Sequence, residues 1–421
     1  MIRSLAPRSL AVALLASATL ASVLVAGCRS KPTGTGPYAA MVADAIPKIE
    51  RSVGLKFKHP PVVEARSKAQ VRDYVLQQLQ DSATQRDLAS TEAAYKLLGM
   101  IPDTLDLKKL ETNLLVEQIV GYYDPKTKVL YVVDGADPTT AATVVTHELV
   151  HALQDQYVNL DSVQTTLGDD DRTLAAQAVF EGEAVYEQIA AMLPPGNVAV
   201  SLPGGWDRVR DEIRNNQSSM PVFSSAPLVI QETALFPYLS GAQFIRTYKE
   251  RTHGGVPYTD TRNMPVTTEQ ILHIYSYFGT PDSPGKRDAP TPISITLPAG
   301  VHASFENDLG EFETRLFLYQ QLTSQDDAVR GAAGWDGDRY VIWQTPQGPA
   351  IAWATVWDTP EDAADFYSLM QRVRSGWSRP ARSVQLSTSE VGGRPVVLWV
   401  DVPAGAHVNL TTTNVRIGAA R

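Results

Sequence analysis

His147-Glu148-Leu149-Val150-His151 sets two histidines four residues apart, with a glutamate beside the first. On a helix, positions i and i+4 share one face, so both rings can turn a nitrogen toward one metal ion. Glu148, one residue further on, projects about 100° around the axis and can reach a water held by that metal. Zinc draws the pKa of such a water down to about 7, where a carboxylate can take its proton. The spacing therefore predicts a hydrolytic centre with His147 and His151 as metal ligands, Glu148 as general base and Zn2+ as cofactor. A solvated helix with two surface histidines would carry the same letters. The apolar neighbours Val144, Val145, Leu149 and Leu153 argue for a buried helix instead.

Catalytic zinc takes three protein ligands and keeps one position open. No Gly-x-x-His follows His151. The next helical stretch holds Phe180-Glu181-Gly182-Glu183-Ala184, whose two carboxylates point about 200° apart. Glu181 shares its face with Ala178, Ala184 and Val185, a small apolar surface suited to packing. Glu183 shares its face with Glu187 and is expected to meet solvent or a neighbouring loop. Glu181 is thus the expected third ligand, and Gly182 is expected to let the two metal-bearing helices approach. Asp155 and Glu183 are candidates to support the ligands from behind, Asp155 by orienting a histidine unless it is merely exposed. Tyr238 and His273 are candidate catalytic donors to the oxyanion formed at an attacked carbonyl. Asp169-Asp170-Asp171 reads as an acid-rich helix start rather than a calcium site.

The elements that must position these residues are partly visible. Helices are expected at Ala39–Val53, Val71–Gln80, Leu105–Val120, Asp137–Tyr157 and from about Asp171 to Pro194. Asp137-Pro138 is a strong helix start, an acid at the cap followed by proline in the first turn. Tyr122–Val133 reads as a tight hairpin, placed either to hold an extended substrate or simply to pack. Five prolines between 281 and 300 mark a linker or long loop. Beyond it are expected a helix from Phe305 to Leu322, strands at Arg339–Thr345 and Ala350–Trp357, a helix at Pro360–Val373, and strands at Ser383–Thr388 and Pro395–Val402. The class is α+β. The organisation is 1–27 signal peptide, 28–37 tether, 38–280 catalytic domain, 281–300 linker or loop, and 301–421 a smaller C-terminal α+β module.

Composition fits this reading. The chain has 421 residues, 43% hydrophobic, enough for a large core. Acids outnumber bases, 46 to 37, which speaks against a nucleic-acid partner. Arg3 and Arg8 precede an uncharged apolar run, Leu10 to Ala26, which ends at Gly27-Cys28. Cys28 is the single cysteine, so no intramolecular disulfide can form. The ending is similar to the lipobox of bacterial lipoproteins, which implies cleavage before Cys28, lipidation of its thiol and membrane anchoring outside the cytoplasm. Arg29 after the cysteine points to an outer-membrane or cell-surface location. An uncleaved transmembrane anchor is the alternative. The next stretch, RSKPTGTGP, has the composition of a flexible tether.

Glu181-Gly182-x-Ala184 resembles the element that supplies the zinc-binding glutamate of M1-type aminopeptidases, and HELVHALQDQ resembles the metal helix of thermolysin-like gluzincins. The stretch from His151 to Glu181 is longer than in those enzymes. In order, LGMIPDTLDL, EQIVGYYDPKTKVLYV, HELVHALQDQ, FEGEA, FPYLSGAQF, TTEQILH and GWDGDRY resemble a family of bacterial HExxH proteins described as neutral zinc metallopeptidases, over about residues 50–375. The resemblance implies a gluzincin-type catalytic domain, zinc at His147, His151 and Glu181, and a peptide or protein substrate. It leaves open endo- or exopeptidase action, oligomeric state and whether residues 38–100 form a latency segment. Two other readings remain: a catalytically silent surface binding or assembly lipoprotein, and a zinc amidase acting on cell-wall peptides.

Overall fold

The computed structural model describes residues 38–163, 169–193, 205–406 and 408–418. The expected signal segment and tether, with Cys28, lie outside the described residues. Among the described residues, no helix is long and apolar enough to cross a membrane.

The fold is mixed α+β. Its first half runs α1 (Ala39–Val53), β1 (Val62–Arg66), α2 (Lys68–Gln78), α3 (Ser82–Leu97), α4 (Leu107–Gln118), β2 (Gly121–Asp124), β3 (Val129–Val133) and α5 (Pro138–Gln154). There follow α6 (Leu160–Val163), α7 (Asp170–Met192), α8 (Gly205–Ser218), α9 (Pro221–Ser225), α10 (Leu228–Thr252), α11 (Thr268–Leu272) and α12 (Ile274–Phe278). The last part runs β4 (Ile293–Ile295), β5 (Ala303–Asn307), α13 (Gly310–Leu322), α14 (Gln325–Ala332), β6 (Trp335–Thr345), β7 (Gly348–Trp357), α15 (Pro360–Gly376), β8 (Arg382–Val391), β9 (Arg394–Pro403) and β10 (Val415–Ile417).

β2 and β3 form the expected hairpin, and β1 adds parallel to β3, giving the order β1-β3-β2. The larger sheet is antiparallel with order β5-β6-β7-β9-β8. Ile351, Trp353 and Trp357 on β7 are buried, and Phe366 of α15 packs on Trp353 and Trp357. The proline-rich segment is not featureless: β4 lies in it and pairs with β10. The expected helix at Phe305 is corrected. Phe305 lies in β5, which pairs with β6, and the helix begins only at Gly310.

α5 starts as its sequence requires: the Asp137 carboxylate accepts from the amides of Thr139 and Thr140, and Pro138 occupies the first turn. From Thr143 to Gln154 every residue is buried, as in a helix enclosed on all sides. α7 lies between α5 and α10. At the α7–α10 crossing a Cβ on Gly182 would meet the Gly241 carbonyl carbon at 2.2 Å, and one on Gly241 would meet the Ala178 oxygen at 2.1 Å. Gly182 therefore serves the approach of α10, not that of the histidine helix as the sequence led us to expect.

Candidate metal centre

α5 and α7 together place His147, His151 and Glu181 in one buried cluster, with ligand atoms all within 4.8 Å of one another. His147 Nε2 stands 3.2 Å from His151 Nε2 and 3.2 Å from Glu181 Oε2, and His151 Nε2 stands 3.4 Å from the same oxygen. Ligands held tetrahedrally at zinc-like bond lengths lie about 3.3–3.5 Å apart. The triangle has that size.

The other ring nitrogens fix the protonation of the cluster. His147 Nδ1 lies 3.1 Å from Gln188 Oε1, and His151 Nδ1 lies 2.8 Å from Gln154 Oε1. An amide oxygen only accepts, so each ring carries a proton on Nδ1 and turns its Nε2 inward, the atom from which a bound cation would displace any second proton. Two Nε2 atoms and a carboxylate oxygen then converge on one point, and these residues could hold a metal ion there. Sequence reading missed Gln154 and Gln188. A glutamine three residues after the second histidine was the only local signal.

Glu148 is fully buried. Its Oε2 accepts from the Tyr123 amide at 2.8 Å, and its Oε1 has no hydrogen-bond partner. The side chain of Asp155, a candidate support for a histidine, bonds neither histidine ring. It accepts from the Tyr123 hydroxyl at 2.8 Å and pairs with Lys128, so it clamps the hairpin to the end of α5. β2 is an edge strand, but all four of its residues are buried and its Tyr123 amide is engaged with Glu148. The hairpin thereby holds Glu148 in place.

The expectation that Glu183 meets solvent is corrected: it is 0% exposed. Its Oε2 accepts from Gln154 Nε2 at 2.8 Å, and Lys249 Nζ of α10 lies 4.0 Å from its Oε1. Lys249 also pairs with Glu187 and donates to the Ser52 carbonyl. The cation that balances this face comes from a helix far along the chain, so the buried carboxylates are not a solvent face.

Tyr238 is brought to the centre, its ring 6.3 Å from that of His147 with planes 24° apart. His273 is not. Its Nε2 bonds Glu311 at 2.9 Å and its side chain is 45% exposed. Its helix is tied by Thr268 to Asp171 in the first turn of α7, and Glu181 lies ten residues further, about 15 Å along the axis. Asp169 caps α7 through the Arg172 amide, as expected of an acidic helix start.

The electrostatics favour positive charge at the convergence point. Burial pushes the Glu148 carboxyl up to about 8, and burial also lowers His147. For His151 burial opposes the charge, but Glu181 and Glu148 overcome it and raise the ring to about 9. Burial would raise Glu181, yet His151 and His147 hold it down to about 2.

Residues 298–415 match a family model described as a domain of unknown function, DUF8575. That stretch carries the larger sheet and none of the clustered residues. Over 359 residues the chain is 23% identical to cellulose synthase operon protein C of Xanthomonas axonopodis pv. citri (strain 306), a match covering 77% of this chain and 23% of that protein. The chain thus spans less than a quarter of that relative's length. No solved structure matches the chain.

Proposed function

We propose that this protein is a zinc-dependent hydrolase of the cell envelope that cleaves peptide bonds, built on a gluzincin-type catalytic unit and tethered through Cys28. The observation that carries the proposal is the convergence of two histidine Nε2 atoms and Glu181 Oε2, spaced as tetrahedral ligands are, with the unpartnered Oε1 of Glu148 one residue away from the first of them. Two histidines and a glutamate with an open fourth position form a catalytic zinc donor set. When bound, zinc supplies Lewis acidity, polarising a carbonyl and acidifying water. The chain's own residues do the rest. Glu148 accepts the proton of the attacking water and returns it to the leaving amine, while the Tyr123 amide holds its other oxygen. Tyr238, beside His147, is the remaining donor for the developing oxyanion.

A second reading, a non-catalytic binding or assembly role, draws on the relative from a cellulose synthase operon. The intact, buried Glu148 favours turnover. The test is metal analysis of the purified chain with a peptide-library digest, run beside Glu148→Gln. Stoichiometric zinc and cleavage by the wild type alone support the proposal; zinc without cleavage of any peptide leaves the binding reading.

A further inference from the structure

A cavity of about 150 Å3 opens beside the cluster, with Glu181 and Tyr238 in its wall. None of its lining comes from the hairpin or from α5. It is walled by α3 and α4 on one side and by α9 and α10 on the other, with Leu88, Leu114, Leu115, Phe223 and Ile230 facing it. All five side chains belong to the core: Leu88 is 9% exposed, Leu114 6%, Leu115 5%, Phe223 2% and Ile230 7%. An apolar cavity of about this volume admits a benzene-sized group.

We propose that this cavity is a specificity site that seats a neutral, phenyl-sized apolar side chain flanking the attacked bond. The inference rests on the hydrolase reading and names its substrate class. Three observations carry it together: the largely apolar wall, the size, and the presence in that wall of Glu181, whose Oε2 faces both histidines, which brings a seated side chain near the cluster. Asp87 and Glu111 also line it, so an acidic side chain meets like charge there. Because α3 contributes Leu88, residues 82–97 belong to the binding unit and are not a removable cover.

The experiment uses the full-length, zinc-loaded protein and calorimetric titration with N-acetyl amino-acid hydroxamates bearing methyl, benzyl or carboxymethyl side chains, together with acetohydroxamate. Burial of the ring in an apolar pocket is expected to make the benzyl compound at least about tenfold tighter than the methyl one, with the carboxymethyl compound weakest. Ala234 is exposed and lines the cavity, so Ala234→Trp fills the pocket without disturbing the core. It is expected to abolish the benzyl preference and leave acetohydroxamate binding unchanged. Equal affinities for benzyl and methyl in the wild type, or a benzyl preference that survives Ala234→Trp, overturn the proposal while acetohydroxamate binding upholds the metal reading. If no hydroxamate binds the zinc-loaded protein, both readings fall.

Discussion

Gln154 Nε2 donates to Glu183 Oε2 at 2.8 Å, and this bond fixes how the ring of His151 is oriented. The amide's remaining hydrogen goes to the Phe180 carbonyl at 3.1 Å, so only its oxygen is left for His151 Nδ1. The ring must then donate from Nδ1 and turn its Nε2 toward Glu181. A carboxylate outside the cluster thus orients a histidine inside it, and Lys249 keeps that carboxylate's charge tolerable inside the protein.

Glu183→Ala should therefore weaken zinc binding although Glu183 is not a ligand. Loss of a group that orients a ligand typically costs about 10–100-fold in affinity. Glu181→Ala should cost more, because two histidines remain. Zinc content after dialysis against a graded chelator ranks the two variants. Wild-type retention by Glu183→Ala would show that Gln154 holds its orientation without it.

Glu148→Gln should keep zinc and lose hydrolysis. The Tyr123 amide can still donate to the glutamine's oxygen, so the side chain stays in place while its basicity is gone. A drop of about 10²–10⁴-fold is expected from loss of general-base catalysis. Unchanged zinc with unchanged turnover on a substrate from the library digest would remove Glu148 from the mechanism.

The histidine pair and Glu148 were legible because their spacing alone fixes a shared helix face, and Glu181 because its neighbours Ala178 and Ala184 mark a packing face. Glu183 was not. Its charge partner Lys249 lies on α10, a helix whose interior Pro237 hides its periodicity. α3 escaped notice for a different reason: SATQRDLASTEAAYKL carries few large apolar residues, and small ones such as Thr84, Ser90 and Ala94 are buried beside Leu88, Tyr95 and Leu97. β5 was read as helix because Phe305 and the apolar residues of α13 form one run, and the boundary is set by pairing with β6. Tertiary partners made these decisions, and a local pattern does not contain them.

Stability should fall as pH rises, in part through Glu269. Burial, then the charges of Asp288, Glu311, Asp358 and Asp171, push its carboxyl up to about 10. Unfolded, it titrates at about 4.3. Between these values the folded chain holds a proton that the unfolded chain has released. This contribution is complete below the unfolded pKa and is lost progressively as pH climbs toward the folded one. Glu269→Gln removes the dependence, so its gain in melting temperature over wild type should be larger at about pH 8 than at about pH 5. An equal gain at both would assign the effect to packing alone.

Gly182→Ala tests how the third ligand is held. α7 carries Glu181 toward α5 on one face and meets α10 backbone to backbone on another, at Gly182 and Gly241. An added Cβ at 2.2 Å from the Gly241 carbonyl carbon and 2.5 Å from the Ala242 nitrogen has no flexible neighbour to displace, so the helices must separate. Overpacking of this kind costs about 1–3 kcal/mol, and more where backbone must move. Separation would also swing Glu181, the residue next to the contact, away from the histidine pair. Gly182→Ala should therefore lower the melting temperature and weaken zinc binding together. Gly254→Ala, at a left-handed position with nothing within 4 Å of the new Cβ, should be destabilised by backbone strain with zinc affinity unchanged. If Gly182→Ala melts lower and still binds zinc as the wild type does, the α7–α10 contact stabilises the fold without positioning Glu181.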